Sequence, residues 1–147
     1  MKKAIYLILV LLTLTGIFLL SNQSSKDSNK ISKYIVNKGV VLYTEVTKKQ
    51  INNKTIDRLN YYVRKVAHFT EYFILGIFIY LLLNSFDSSN RLLYSLILCF
   101  VFALIDELHQ KLTGYRDPRL MDVLIDTIGS ATAFLILIIN KNRKLAK

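Results

Sequence analysis

Seventeen consecutive residues, Ala4–Leu20, carry no charged side chain and consist mostly of Ile, Leu, Val, Thr and Phe. As a helix this run is about 26 Å long at 1.5 Å per residue, close to the roughly 30 Å hydrocarbon thickness of a bilayer. Three further apolar stretches follow at Tyr72–Leu83, Leu92–Ile105 and Val123–Ile139. Lipid offers the backbone no hydrogen-bond partners, so runs of this kind must cross it as helices. The predicted fold is all-α: a polytopic membrane protein, a bundle of about four transmembrane helices with an amphipathic helical first loop. The helices are expected near 4–21, 66–84, 91–110 and 121–140, with a polar loop over 24–65, in one membrane domain spanning 1–147.

The first run has the outline of a signal peptide, with Lys2 and Lys3 before it. However, Ser21-Asn22-Gln23-Ser24-Ser25 follows a leucine pair and offers no small-x-small cleavage site, so an uncleaved anchor is expected. The loop Ser24–Lys65 carries ten Lys/Arg against three acids. Apolar residues recur within it at Ile31, Tyr34, Ile35, Val46, Ile51, Ile56 and Leu59. That spacing predicts one or two amphipathic helices with a break near Gly39, able to lie on a lipid interface with lysines toward phosphates.

The net charge of +10 alone would suggest nucleic acid. Here the basic residues fall mainly between and beyond the apolar runs, where they meet lipid phosphates and set orientation, so no nucleic-acid partner is expected. Cys99, the single cysteine, lies inside an apolar run and reads as a small core or lipid-facing residue. The tail Lys141–Lys147 adds four positive charges to Lys2 and Lys3, which places both termini in the cytoplasm by the positive-inside rule. The basic first loop argues the other way.

The second and third apolar stretches span a bilayer only by including Glu71 and His68 in one and Asp106 and Glu107 in the other. The fourth carries Asp126 one turn inside its start. A central carboxylate costs roughly 2.5–3.5 kcal/mol on insertion scales. With four helices, connectivity puts the start of helix two, the end of helix three and the start of helix four on one side. The costly residues all gather there, on the side expected to face outward.

Three groups of residues carry the candidate chemistry. In Arg64-Lys65-x-x-His68-Phe69-x-Glu71-Tyr72, His68 and Glu71 are helical neighbours, an arrangement suited to a general base, a ligand or an anion-binding pair. In Asp106-Glu107-Leu108-His109-Gln110, Asp106 and Gln110 share a face. Acids at a helix C-terminus oppose the macrodipole, a local cost that hints at function. In Gly114–Gly129, a turn with Arg116 and Arg119 leads to Asp122 and Asp126, one turn apart on a strip continued by Gly129, Ser130 and Ala133. Small residues permit close helix packing in lipid, so both aspartates should point inward with the arginines as counter-charges. The candidate catalytic residues are therefore His68, Glu71, Asp106, Glu107, His109, Asp122 and Asp126. Lys65, Gln110, Arg116 and Arg119 are candidate binding residues. No H-E-x-x-H or comparable spacing occurs, so no metal set is assigned and no cofactor is named.

These three ordered motifs, with an F-x-x-S-x-Q pattern at Phe18–Gln23 that has Asn22 where a second Ser is common, resemble the VanZ-like membrane proteins. That family is named for a teicoplanin-resistance protein. The resemblance covers nearly the whole chain apart from the long first loop. It implies a small multi-pass protein of the bacterial cell envelope with a link to low-level glycopeptide resistance, and Lys65, His68, Glu71, Asp106, Glu107, His109, Gln110, Arg116, Asp122 and Asp126 as its characteristic positions.

The leading expectation is an outward-facing polar pocket that binds or modifies a lipid headgroup, a lipid-linked cell-wall precursor or a lipoglycopeptide. In an enzymatic version His68 or His109 is general base, Glu71 or Asp122 orients it, and the arginines hold an anionic group. The alternative is a non-catalytic membrane protein whose charges form a helix-packing network. A proton or ion pathway ranks below both, because the other halves of these helices carry no ionisable residues.

Overall fold

A computed structural model describes residues 1–22, 25–112 and 119–145, with side chains for 1–22, 30–112 and 119–140. Five helices follow in order: α1 (Lys2–Ser21), α2 (Ser25–Thr47), α3 (Asn53–Asn84), α4 (Arg91–Leu112) and α5 (Leu120–Leu145). No strand occurs among the described residues. α1, α3, α4 and the Leu120–Asn140 part of α5 are long and apolar enough to cross a membrane. Large apolar side chains stand exposed along all four, among them Leu12, Leu19, Ile97, Ile128 and Leu135. This is the pattern of helices whose outer solvent is lipid. The chain is a multi-pass membrane protein.

α3 is the axis of the fold and packs against all four other helices, most extensively against α5. α3 and α5 run parallel and in register. Lys65 meets Asp122 and His68 meets Asp126. Further along, Gly129 approaches the Phe69 backbone, Gly76 meets Ser130, and Tyr80 packs on Phe134. α4 returns antiparallel beside both and buries Ser95, Cys99 and Ala103 in the core with Tyr72, Leu75 and Ile79 of α3. Cys99 is thus a core residue. At the opposite end of the bundle, Lys3 Nζ lies 4.5 Å from the Phe86 ring centroid, so the N-terminus shares that end with the α3–α4 turn.

Two expectations about the first loop change. α2 runs unbroken through Gly39, and the break falls at residues 48–52. A helical glycine costs only about 1 kcal/mol relative to alanine, and α2 offsets this by packing on α3 with Ser32 and Val36 buried. Lys48 ends the helix in the left-handed region (φ 57°), its N–H donating to the Thr44 carbonyl at 2.8 Å. The second spanning helix also starts well before residue 66. Asn52 caps it by accepting the Thr55 N–H on its side-chain oxygen at 2.8 Å. α3 is therefore a 32-residue helix, and its first turns continue beyond the length a bilayer requires.

The α3–α5 crossing has no room for a side chain at Gly129. A Cβ there would lie 2.4 Å from the Phe69 carbonyl oxygen, whereas a Cβ at Gly16 would meet nothing within 4 Å. Gly129→Ala should therefore destabilise the protein by roughly 1–3 kcal/mol, the usual range for overpacking. Gly16→Ala should be neutral or slightly stabilising. Thermal melting of the two variants in the same detergent checks both signs.

Candidate functional site

The parallel register of α3 and α5 stacks their ionisable residues in layers. Outermost is Lys65, whose ammonium pairs with Asp122 Oδ1. Lys65 is only 8% exposed and Asp122 1%, and the ammonium also lies 5.0 Å from the Tyr61 ring centroid. One turn deeper, His68 Nδ1 stands 3.5 Å from Asp126 Oδ1. Asp126 is fully buried. Tyr72, also fully buried, follows on the same face of α3. Below it, Leu75, Gly76 and Ile79 continue the face without polar atoms in their side chains.

α4 brings in Asp106, Glu107 and Gln110, all buried. Gln110 Nε2 donates to Asp106 Oδ2 at 3.0 Å, which realises the shared face expected of these two residues. Asp106 reaches the His68–Asp126 layer, and one ligand atom from each of the three residues lies within 4.8 Å of the other two. Glu107 has a different placement. Its Oε2 accepts the backbone N–H of Arg119 at 2.8 Å, so it ties the start of α5 to the end of α4. A carboxylate there also favours the positive end of the α5 dipole. At about 1.5 Å per residue, His68, Asp106 and Asp126 each lie roughly 20–25 Å from the far end of their spanning helices. The layer therefore sits toward one face of the bundle.

A cavity of about 140 Å³ opens beside this layer. Leu20, Ile31, Ile35, Val63 and Ala67 form its apolar wall, and Ser21, Ser32, Arg64, His68, Glu71 and Asp106 its polar lining. The contributors are the end of α1, the middle of α2, the face of α3 that looks toward them, and α4. α2 thus covers one side of the site.

Lys65, His68, Glu71, Asp106, Gln110, Asp122 and Asp126 share one end of the bundle, in the layers or lining the cavity. His109 is turned away: its ring packs edge-on against Phe18 of α1 at 5.7 Å. Of the two histidines considered as a base, His68 is the one in the cluster. Arg119 is exposed and contributes its backbone, while Lys65 provides the counter-charge to Asp122. Lysine takes this place because α3 starts early enough to bring residue 65 level with the first turn of α5. Arg116 lies outside the described residues. Arg64, Ser21, Ser32 and the α2 residues Ile31 and Ile35 line the cavity without having been singled out as binding residues. Ser32 and Val36, one helical turn apart on α2, turn inward.

The fold and site together define a multi-pass membrane protein with a buried, layered cluster of ionisable residues at one end. The sequence model of the VanZ/LLP1 family matches residues 4–141, and the chain belongs to that family. No curated protein and no solved structure matches it significantly.

The Lys65–Asp122 pair generates a prediction. Removing one member of a buried pair strands the other charge, typically at a cost of about 3–5 kcal/mol, whereas apolar replacement of both is often tolerated. Asp122→Ala should therefore lower the melting temperature and the membrane abundance sharply. The double variant Lys65→Met/Asp122→Leu should recover most of the loss, as measured by melting in detergent and by quantitative immunoblotting of membranes.

Proposed function

We propose that this VanZ/LLP1 protein binds an anionic amphiphile of the bacterial cell envelope, with its headgroup in the cavity between α2 and α3. Lipid-linked cell-wall precursors, phospholipids and lipoglycopeptides share that chemistry. The observation that carries the reading is the cavity's two-sided lining. Leu20, Ile31 and Ile35 suit an apolar stem, and Arg64, His68 and Glu71 suit a polar or phosphorylated head. Its volume of about 140 Å³ fits a headgroup fragment, the remainder of the molecule staying in the bilayer. Tyr34, Val41, Leu42 and Val46 stand exposed along α2, as expected of a helix resting on the lipid interface.

The termini lie in the cytoplasm in this reading, since Lys2, Lys3 and the C-terminal end of α5 belong to the end of the bundle opposite the cluster. The cavity then faces outward, where wall precursors and glycopeptides meet. A role in teicoplanin resistance would follow from capture or modification of such a molecule. Where a reaction occurs, His68 is the group placed to take a proton, with Asp126 orienting it and Arg64 holding an anionic group.

A second reading is favoured by the Lys65–Asp122 pair: the buried charges serve helix packing alone. Glu71 and Arg64 discriminate between the two readings because they line the cavity and are only partly buried. In lipid nanodiscs, the full chain should bind a polyprenyl-diphosphate-linked precursor saturably. Arg64→Gln and Glu71→Ala should each weaken binding by about tenfold or more, the first by loss of the cation facing the anionic head and the second by loss of the acceptor for its hydroxyl groups, with wild-type abundance. Glu71→Ala should likewise abolish any teicoplanin protection conferred by the parent. The packing-only reading holds if no precursor, phospholipid or lipoglycopeptide binds saturably, or if both variants bind as the parent does.

A further inference from the structure

Motif spacing could not reveal a metal set here, because its members come from three helices. We propose that His68, Asp106 and Asp126 form a site for one divalent first-row cation of the Mn²⁺ or Zn²⁺ class. The inference shares His68 and Asp106 with the cavity of the lipid reading but rests on the buried layer and not on the apolar wall, and its test reads metal binding alone.

Geometry is the first support. One imidazole nitrogen and two carboxylate oxygens lie within 4.8 Å of one another. Three ligand atoms at about 2.1 Å from a common ion stand roughly 3.0–3.6 Å from one another. Rotation of the three side chains about their χ angles, drawing the outer atoms together by about an ångström, closes that difference.

The second support is independent of the clustering. Asp126 is fully buried; His68 Nδ1 faces its Oδ1 at 3.5 Å, and its Oδ2 accepts no hydrogen bond among the described residues. Asp106 is 1% exposed; Gln110 holds its Oδ2, while Oδ1 accepts no hydrogen bond among the described residues. Buried carboxylate oxygens in a lipid-embedded bundle demand donors or cations. Lys65 is engaged with Asp122 a turn above, and His68 supplies at most one positive charge to two facing acids. A divalent cation balances both carboxylates and takes up their lone pairs together.

The donor types select the class of ion. Two carboxylates and one imidazole suit Mn²⁺ or Zn²⁺, whereas Ca²⁺ takes an all-oxygen shell and the only thiol, Cys99, is packed in the core. Gln110 then acts from outside the coordination shell by orienting Asp106, a role whose partners commonly affect metal affinity by about 10–100-fold. Three protein ligands leave further positions open. His68 and Asp106 both line the cavity, so those positions are reachable from it by water or by an anionic group.

The test uses the full chain, purified in detergent, stripped with a chelator and titrated with Mn²⁺ alone and Zn²⁺ alone. One equivalent of saturable binding is expected, with a raised melting temperature. Electron spin-echo spectroscopy of the Mn²⁺ form should show coupling to a directly bound nitrogen. That coupling should change character with ¹⁵N-histidine labelling and vanish in His68→Asn. Asp126→Asn and Asp106→Asn should bind at least about tenfold more weakly, whereas Asp87→Asn, at the far end of the bundle, should bind as the parent does. The labelling experiment needs no variant, so it decides the matter even where a substitution prevents folding. Folded parent protein that binds neither ion saturably overturns the proposal. So does bound Mn²⁺ without nitrogen coupling, or undiminished binding in Asp126→Asn.

Discussion

A charge inside a lipid-embedded bundle must find its partner on another helix, and that requirement sets the register of α3 against α5. Lys65 and Asp122, then His68 and Asp126, pair across one parallel interface. A slip by one residue on either helix would turn both acids away from their partners. Below the polar layers the same interface closes through Gly76, Gly129 and Ser130, where the backbones come too near for larger side chains. Specificity comes from the charged layers and close packing from the small residues. Both act along one face of α3, with Lys65, His68, Tyr72 and Gly76 in sequence.

With α3 and α5 aligned, α4 has one way to contribute. Glu107 holds its end in place through the backbone of Arg119 at the start of α5, and Gln110 orients Asp106 within α4 itself. Asp106 is thereby delivered to His68 and Asp126. α2 completes the arrangement from outside by burying Ser32 and Val36, and leaves the cavity between its apolar edge and the polar face of α3.

Much of this was legible in the residues. The four spans follow from run length, and connectivity alone collects the ionisable residues at one end. The inward strip Asp122, Asp126, Gly129, Ser130 and Ala133 is visible as helical spacing, and all five are buried. What escaped depended on tertiary placement. Gly39 reads as a break, but the packing of α2 on α3 carries the helix through it. The start of α3 at Asn53 is hidden because its first turns are polar and lack a spanning helix's signature. The counter-charge to Asp122 depended on how far α3 extends, which no motif records. His109 looks equivalent to His68 in type and neighbours, yet it lies on the α4 face that meets Phe18. The His68–Asp106–Asp126 grouping comes from three helices and has no one-dimensional signature.

Ionisable residues from α3, α4 and α5 meet in one layer. Solid-state NMR on the full chain in lipid bilayers measures this directly, through dipolar dephasing between ¹⁵N-labelled histidine and ¹³C-carboxyl-labelled aspartate. The chain has two histidines, so Asp126→Asn assigns the signals. Strong dephasing of the His68 imidazole is expected, as its 3.5 Å contact with Asp126 requires. Equal, weak dephasing at both histidines would contradict it.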